Sequence, residues 1–324
     1  MNETLELMRI FGAEHRIWMA AIFGLFGATV GSFLNVVIYR LPLDKSIVRP
    51  RSFCPGCGQA IAWYDNIPVF SYLFLCARCR HCRAHISWRY PLVELLTAGL
   101  WVALFWRFGL GRALPVHIVF ATSLVAISFI DFDHRIIPNE ISLPGIVVGF
   151  ACSFLWYDQG FHWESLIGLL AGGGGLLLIS IVYLLLRGRE GMGMGDVKLL
   201  AMLGAWLGWK SLLFILLFAS VQGILATIGM VVFGVKLKPP LPEEWELEEM
   251  EKEKQAAQAE QKPEEAAEQK EEGSEEEEEG SEEEEEEVPF MGAAIPFGPF
   301  LALSAIEYLF LGPWFFSFIS GHGA

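Results

Sequence analysis

The sequence predicts an all-α polytopic membrane protein of about eight transmembrane helices, with one small cytoplasmic zinc-ribbon-like module. Three observations predict it. Of the 324 residues 53% are hydrophobic and the mean hydropathy is +0.43, too apolar for a domain with a polar shell. The apolar residues gather into eight runs of helix length. Four of the six cysteines form two C-x2-C pairs in the one sizeable polar stretch between those runs that has a folded-domain composition.

A helix needs roughly 20 mostly apolar residues to cross the hydrocarbon core. Ile17–Tyr39 is such a run and carries no charge. Acidic residues precede it (Glu3, Glu6, Glu14) and Arg40 follows it, so its flanks read as those of a retained helix rather than a cleaved signal peptide. The further runs are Pro91–Trp106, Val116–Ile130, Ile141–Tyr157, Ser165–Leu186, Val197–Trp209, Leu212–Val235 and Phe297–Ser320, of which Val197–Trp209 is short. The chain divides accordingly into a polar start (1–16), a first helix (17–40), a cysteine module (41–90), a hydrophobic bundle (91–235), a Glu-rich loop (236–288) and a last helix with the C-terminus (289–324).

Lys and Arg set the orientation. With the N-terminus outside, the inner loops 40–90, 131–140, 187–198 and 236–288 hold 18 basic residues and the outer segments 5, so both termini are expected on the outer side. Without the Glu-rich loop the balance is still 12 against 5.

The net charge of −15 is not an acidic surface. Residues 243–287 hold 24 Glu against 4 Lys, a local balance of −20, and the rest of the chain has 14 acids and 19 bases. Such a segment buries too little apolar surface to offset chain entropy, and disorder is expected for 236–288, with local helix possible in 243–261.

Cys54-Pro-Gly-Cys57 and Cys79-Arg-His-Cys82 are two knuckles separated by 21 residues. Each offers two thiolates, and together they complete a tetrahedral S4 site. On the cytoplasmic side structural disulfides are rare, which favours a metal. Zn2+ is the first choice and rubredoxin-like iron the second. Four thiolates leave no open position for water, so the ion would be structural. Cys76, His81 and His85 lie close by and could replace a ligand, but read better as surface or packing residues. Cys152 falls in a predicted membrane helix and reads as a small apolar filler.

Two acidic residues stand at membrane depth, where ionisable groups are costly and mark functional sites. Asp131 closes the third predicted helix and Asp196 opens the sixth, on the same side of the membrane. Two carboxylates close together share one proton. The ionised member can activate water while the protonated one hydrogen-bonds a scissile carbonyl, as peptide hydrolysis requires. Gly193 and Gly195 remove side chains beside Asp196 and would let an extended substrate backbone approach. The plainer alternatives are a headgroup-level charge for Asp131 and an N-cap for Asp196. A transporter could also use the pair as a proton relay, although no internal repeat of the kind transporters show is evident.

Gly193-Met194-Gly195-Asp196 resembles the G-x-G-D signature of membrane aspartyl peptidases, and Asp131, ahead of Pro138-Asn139, resembles the partner motif of their type IV prepilin leader peptidase branch. Three more blocks resemble that family: Gly31-Ser32-Phe33-Leu34-Asn35 through Pro42; the cysteine module with Asp65-Asn66-Ile67-Pro68 inside it and Arg89-Tyr90-Pro91-Leu92-Val93-Glu94 after it; and Ile295-Pro296-Phe297-Gly298-Pro299-Phe300. The resemblance implies a bacterial inner-membrane endopeptidase that removes the short basic leader of prepilins and pseudopilins after a glycine on the cytoplasmic face. It implies Asp131 and Asp196 as the catalytic pair, with Asp133 not chosen. The cysteine module marks the longer branch, whose members methylate the new N-terminus with S-adenosylmethionine. No Rossmann glycine loop accompanies it, and no methyl-donor ligands follow from the sequence. Membrane lipid is an expected partner and nucleic acid is not. A membrane aspartyl peptidase with another substrate is the alternative within the same chemistry. The Glu-rich loop and Cys76 depart from the family pattern.

Overall fold

A computed structural model describes residues 14–155, 160–188, 193–233 and 295–319. The start of the chain to residue 13, Gly191-Met192 and the Glu-rich loop 236–288 lie outside the described residues. The described residues fall into two units: residues up to Ala226 with those from Pro296 onward, and the short remainder of Thr227–Ile295.

Among the described residues each of the eight apolar runs forms helix. In chain order the helices are α1 (Arg16–Arg40), a short α2 (Phe70–Phe74) inside the cysteine module, α3 (Arg89–Phe108), α4 (Ala113–His134), α5 (Asn139–Leu155), α6 (Phe161–Leu169), α7 (Gly175–Arg187), α8 (Met194–Leu207), α9 (Trp209–Val232) and α10 (Gly298–Ile319). A π-helical turn, Leu170–Gly174, joins α6 to α7, and the run Phe161–Arg187 is long and apolar enough to cross as a single span. Six segments are long and apolar enough to span a bilayer, while α5 and α8, of 17 and 14 residues, are shorter. Large apolar side chains such as Leu185, Leu186, Ile224 and Leu225 stand exposed on α7 and α9, as lipid-facing positions do.

The shortness of α8 has a packing reason. From Leu199 to Leu207 every residue is buried. At 1.5 Å per residue the helix measures about 21 Å, well under the roughly 30 Å core. Neighbouring helices rather than lipid surround it: α5 and α6 pack along it, and the Gly168 and Gly204 backbones touch, leaving no room for a Cβ at either position. Close backbone approach through small residues is how helices associate where lipid removes the hydrophobic drive. The result places the start of α8, and Asp196 with it, inside the bundle.

α1 and α3 use the same device. A Cβ on Gly31 would lie 2.7 Å from Glu94 Cα, and one on Gly27 would lie 2.9 Å from Ala98 Cα. This pairing holds the cysteine module between the two helices. Arg40, buried at the end of α1, donates to the carbonyls of Ser46 (3.0 Å) and Pro50 (2.8 Å). Asn35 donates to Tyr90 O at 3.1 Å, and Val69 N–H donates to Glu94 Oε2 at 2.7 Å.

Candidate active site and metal centre

The cysteine module is built from two copies of one turn. Cys54 N donates to Gln59 O (2.9 Å) and Gly58 N to Cys54 O (2.8 Å). Twenty-five residues later Cys79 N donates to Ala84 O (2.8 Å) and Arg83 N to Cys79 O (3.1 Å). Each turn closes in an antiparallel bridge, Phe53 with Ala60 and Arg78 with His85. The residue after the second cysteine of each pair, Gly58 or Arg83, takes a positive φ (69° and 61°), which reverses the chain and aims both thiols inward. The two turns face each other, and the Sγ atoms of Cys54, Cys57, Cys79 and Cys82 all lie within 4.8 Å of one another.

This donor set fits a tetrahedral ion. Zn–S bonds of about 2.3 Å imply S···S edges of about 3.8 Å, and Cys54 Sγ and Cys82 Sγ are 3.8 Å apart. Backbone N–H groups of Cys82 and His81 pull the Cys79 thiol down to about 6. Gln59 N–H also pulls on Cys57, but desolvation and the three neighbouring thiols outweigh it and push Cys57 up to about 11. Four sulfurs this close resist becoming four thiolates unless a cation lies among them. Cys76 lies outside the cluster, exposed and at φ 48°, and Cys152 is buried in α5. Asp65, between the knuckles, is bound to Arg80 through two hydrogen bonds of 2.8 and 2.5 Å, and that guanidinium lowers its carboxyl below the usual range.

The aspartates sit where three helix ends meet. Asp131 is in the last turn of α4 and only 5% exposed. Asp196 is in the first turn of α8, half-buried, and its carboxylate lies within electrostatic range of Asp131. Gly193 rather than Asp196 caps α8, and the Asp196 N–H donates to Gly193 O at 3.2 Å. The third end is the start of α10. The Gly298 N–H donates to the Asp131 carboxylate, and a methyl group on Gly298 would overlap Asp131 Oδ2. Ile137 wedges the ends together. A Cβ on Gly195 would meet Ile137 Cβ at 3.1 Å, and one on Gly298 would meet Ile137 Cδ1 at 3.3 Å. Lys198 Nζ to Asn139 Oδ1 (2.8 Å) ties the start of α8 to that of α5.

The two candidate glycines differ. Among the described residues nothing lies within 4 Å of a Cβ on Gly193, next to Asp196, whereas Gly195 is packed on Ile137. Asp133 points away from the pair: its carboxylate binds Arg89 at 2.7 and 2.5 Å. In the sequence Gly298 and Arg89 belong to blocks that carry the family resemblance but no role, and Ile137 carries no signal of its own. Pro299 at the start of α10 marks a helix beginning, but no sequence signal says which carboxylate that beginning meets.

Two family models cover most of the body of the chain: the bacterial peptidase A24 N-terminal domain over residues 25–108, and the type IV leader peptidase family over residues 118–228. Among curated proteins the chain is similar to the prepilin leader peptidase/N-methyltransferase of Myxococcus xanthus (strain DK1622), 43% identical over 304 residues and 89% of each chain. It is similar to that of Aeromonas hydrophila, 39% identical over 232 residues, 64% of this chain and 80% of the relative. The protein of the same name in Klebsiella pneumoniae is 39% identical over 228 residues, 68% of this chain and 99% of its own. No solved structure matches the chain. The matched segments contain both aspartates and the cysteine turns, the relative from Myxococcus xanthus covers 89% of the chain, and the chain therefore belongs to the type IV leader peptidase family.

Proposed function

We propose that this membrane protein removes the basic leader of type IV prepilins and pseudopilins after a glycine, and then methylates the exposed N-terminus with S-adenosylmethionine. The observation that carries the cleavage reading is the meeting of Asp131 and Asp196 at the ends of α4 and α8, with Gly298 N–H on the first of them. The pair shares a proton. Its ionised member takes a proton from the attacking water and its protonated member donates to the scissile carbonyl oxygen. Which residue holds the proton is a property of the pair. Gly193, with no described atom within 4 Å of its Cβ position, offers an approach to Asp196 for an extended peptide. The methyl transfer reading rests on the relatives, whose names join both activities.

The balance of Lys and Arg supports a bacterial inner membrane placement with both termini periplasmic and the aspartates on the cytoplasmic side, where a basic leader resides before export. Purified protein in detergent should cut a prepilin at the glycine. Activity confined to sealed vesicles would instead favour a carboxylate relay.

Cys54, Cys57, Cys79 and Cys82 would hold Zn2+, with iron the second choice, and the ion would supply the fold of residues 41–90 rather than chemistry. Elemental analysis should find about one Zn2+ per chain. Cys54→Ser or Cys82→Ser should lower that content and make residues 41–90 easier to digest with protease. Carefully prepared protein free of both zinc and iron would refute the site.

A further inference from the structure

Between the cysteine module and helices α1 and α3 lies a cavity of about 410 Å³. That is within the roughly 300–1,000 Å³ typical of small-molecule sites. The metal turns form part of its wall through Cys54, Gly56 and Cys79, and the aspartate pair does not line it. Its wall includes Tyr39, Tyr90, Gln59, Asn66 and Glu94. The basic residues Arg40, Arg80, His81 and His85 also line it, with Arg40 held by the Ser46 and Pro50 carbonyls and Arg80 by Asp65.

Glu94 is the unusual member. The residue is 7% exposed, and its carboxylate accepts hydrogen bonds from Val69 N–H and the Ser32 hydroxyl. Among the described residues no Lys, Arg or His nitrogen lies within 4.0 Å of it, in contrast to Asp65, Asp133 and Glu164, each of which has a basic partner. A buried carboxylate without a countercharge is costly. One that lines a cavity is suited to a cationic occupant.

One wall of the cavity is tied to the last turns of α4. Tyr90 lines it, and the preceding residue, Arg89, binds Asp133 two positions after Asp131 and reaches Phe129 O at 3.3 Å.

Resting on the methyl transfer reading above, we propose that this cavity is the methyl-donor site and holds S-adenosylmethionine, with Glu94 as the countercharge of the sulfonium. The sulfonium is a permanent cation, so it neutralises Glu94 at any pH at which the carboxyl is ionised. The rings of Tyr39 and Tyr90 offer faces for the adenine, and the Gln59 and Asn66 amides offer donors and acceptors for its edge and the ribose. The transfer balances without a dedicated base. The α-amino group, with an ordinary pKa of about 8, enters neutral after giving its proton to water. Its lone pair forms the N–CH3 bond while the S–CH3 pair stays on sulfur. The product is a methylammonium beside a neutral thioether, so Glu94 faces one positive charge before and after the step.

The test is calorimetric titration of the full-length, metal-loaded protein with S-adenosylmethionine, on the wild type and on two variants. Glu94→Gln removes the countercharge at constant shape, and Ala62→Trp fills the cavity from the module side. Both should bind the donor at least tenfold more weakly, in protein whose zinc content and melting temperature show it folded. Photo-cross-linking of radiolabelled donor to the wild type should label peptides from residues 32–94. Methylation by the wild type together with wild-type donor affinity in both folded variants, or label confined to other peptides, would overturn the assignment and leave the transfer reading intact. A wild type that neither binds the donor nor methylates a cleaved prepilin would overturn both.

Discussion

Asp196→Asn and Asp131→Asn are each expected to reduce leader cleavage by about 10²–10⁴-fold, the range that a positioned acid or base supplies. An amide can neither take a proton from water nor donate one as a carboxylic acid does. The two losses should resemble each other, because the pair works as a unit. Asp133→Asn should cost a few-fold at most. That carboxylate faces Arg89 in a partly exposed ion pair, and such pairs contribute only about 0–1 kcal/mol. Timed cleavage of a purified prepilin by membrane-inserted variants measures all three. Ordinary cleavage by the Asp196→Asn protein would sink the aspartyl mechanism. The pH–rate profile of the parent should be bell-shaped, with two apparent values that belong to the pair.

Gly298→Ala carries the second large effect. A Cβ there would overlap Asp131 Oδ2 and come within 3.1 Å of its Cγ, so the carboxylate or the start of α10 must move. Misplacing a catalytic group by about 1 Å costs about 10²-fold in rate. The expected result is therefore a fall in kcat of about that size, with KM changed little and the fold intact. Gly99→Ala is the matched comparison: its Cβ would meet nothing within 4 Å in the middle of α3, and kcat should stay at the parent's value. A Gly298→Ala protein with the parent's kcat would show that the contact at α10 does not position Asp131.

Much of this was legible in the sequence because each element carries its own local signal. A membrane helix must satisfy its backbone internally and cover itself with apolar side chains, so all eight runs could be read from hydropathy. The two knuckles were legible because a C-x2-C spacing is itself the ligand geometry. Their 25-residue internal repeat is carried by Cys54/Cys79, Cys57/Cys82, Ile61/Ile86 and Trp63/Trp88, but its shared backbone hydrogen bonds and the positive φ of Gly58 and Arg83 could not be read from them. The separation of Asp131 from Asp133 follows from helix geometry, and the structure assigns them different partners. The convergence of α4, α8 and α10 could not be read, because it depends on which helices pack together. Gly195 shows the same limit. It reads as room for a substrate, yet in the fold that room is filled by Ile137. The Glu94 cavity depends on the close approach of α1 to α3 at Gly27 and Gly31, which a sequence pattern suggests but does not pair.

The central claim is that one chain cuts a prepilin leader and methylates what remains. The most direct measurement is the mass of the prepilin N-terminus after incubation with purified protein, with and without S-adenosylmethionine. Loss of the leader at the glycine is expected in both samples, with one added methyl group only where the donor was present. A leader still attached in both samples would contradict the account.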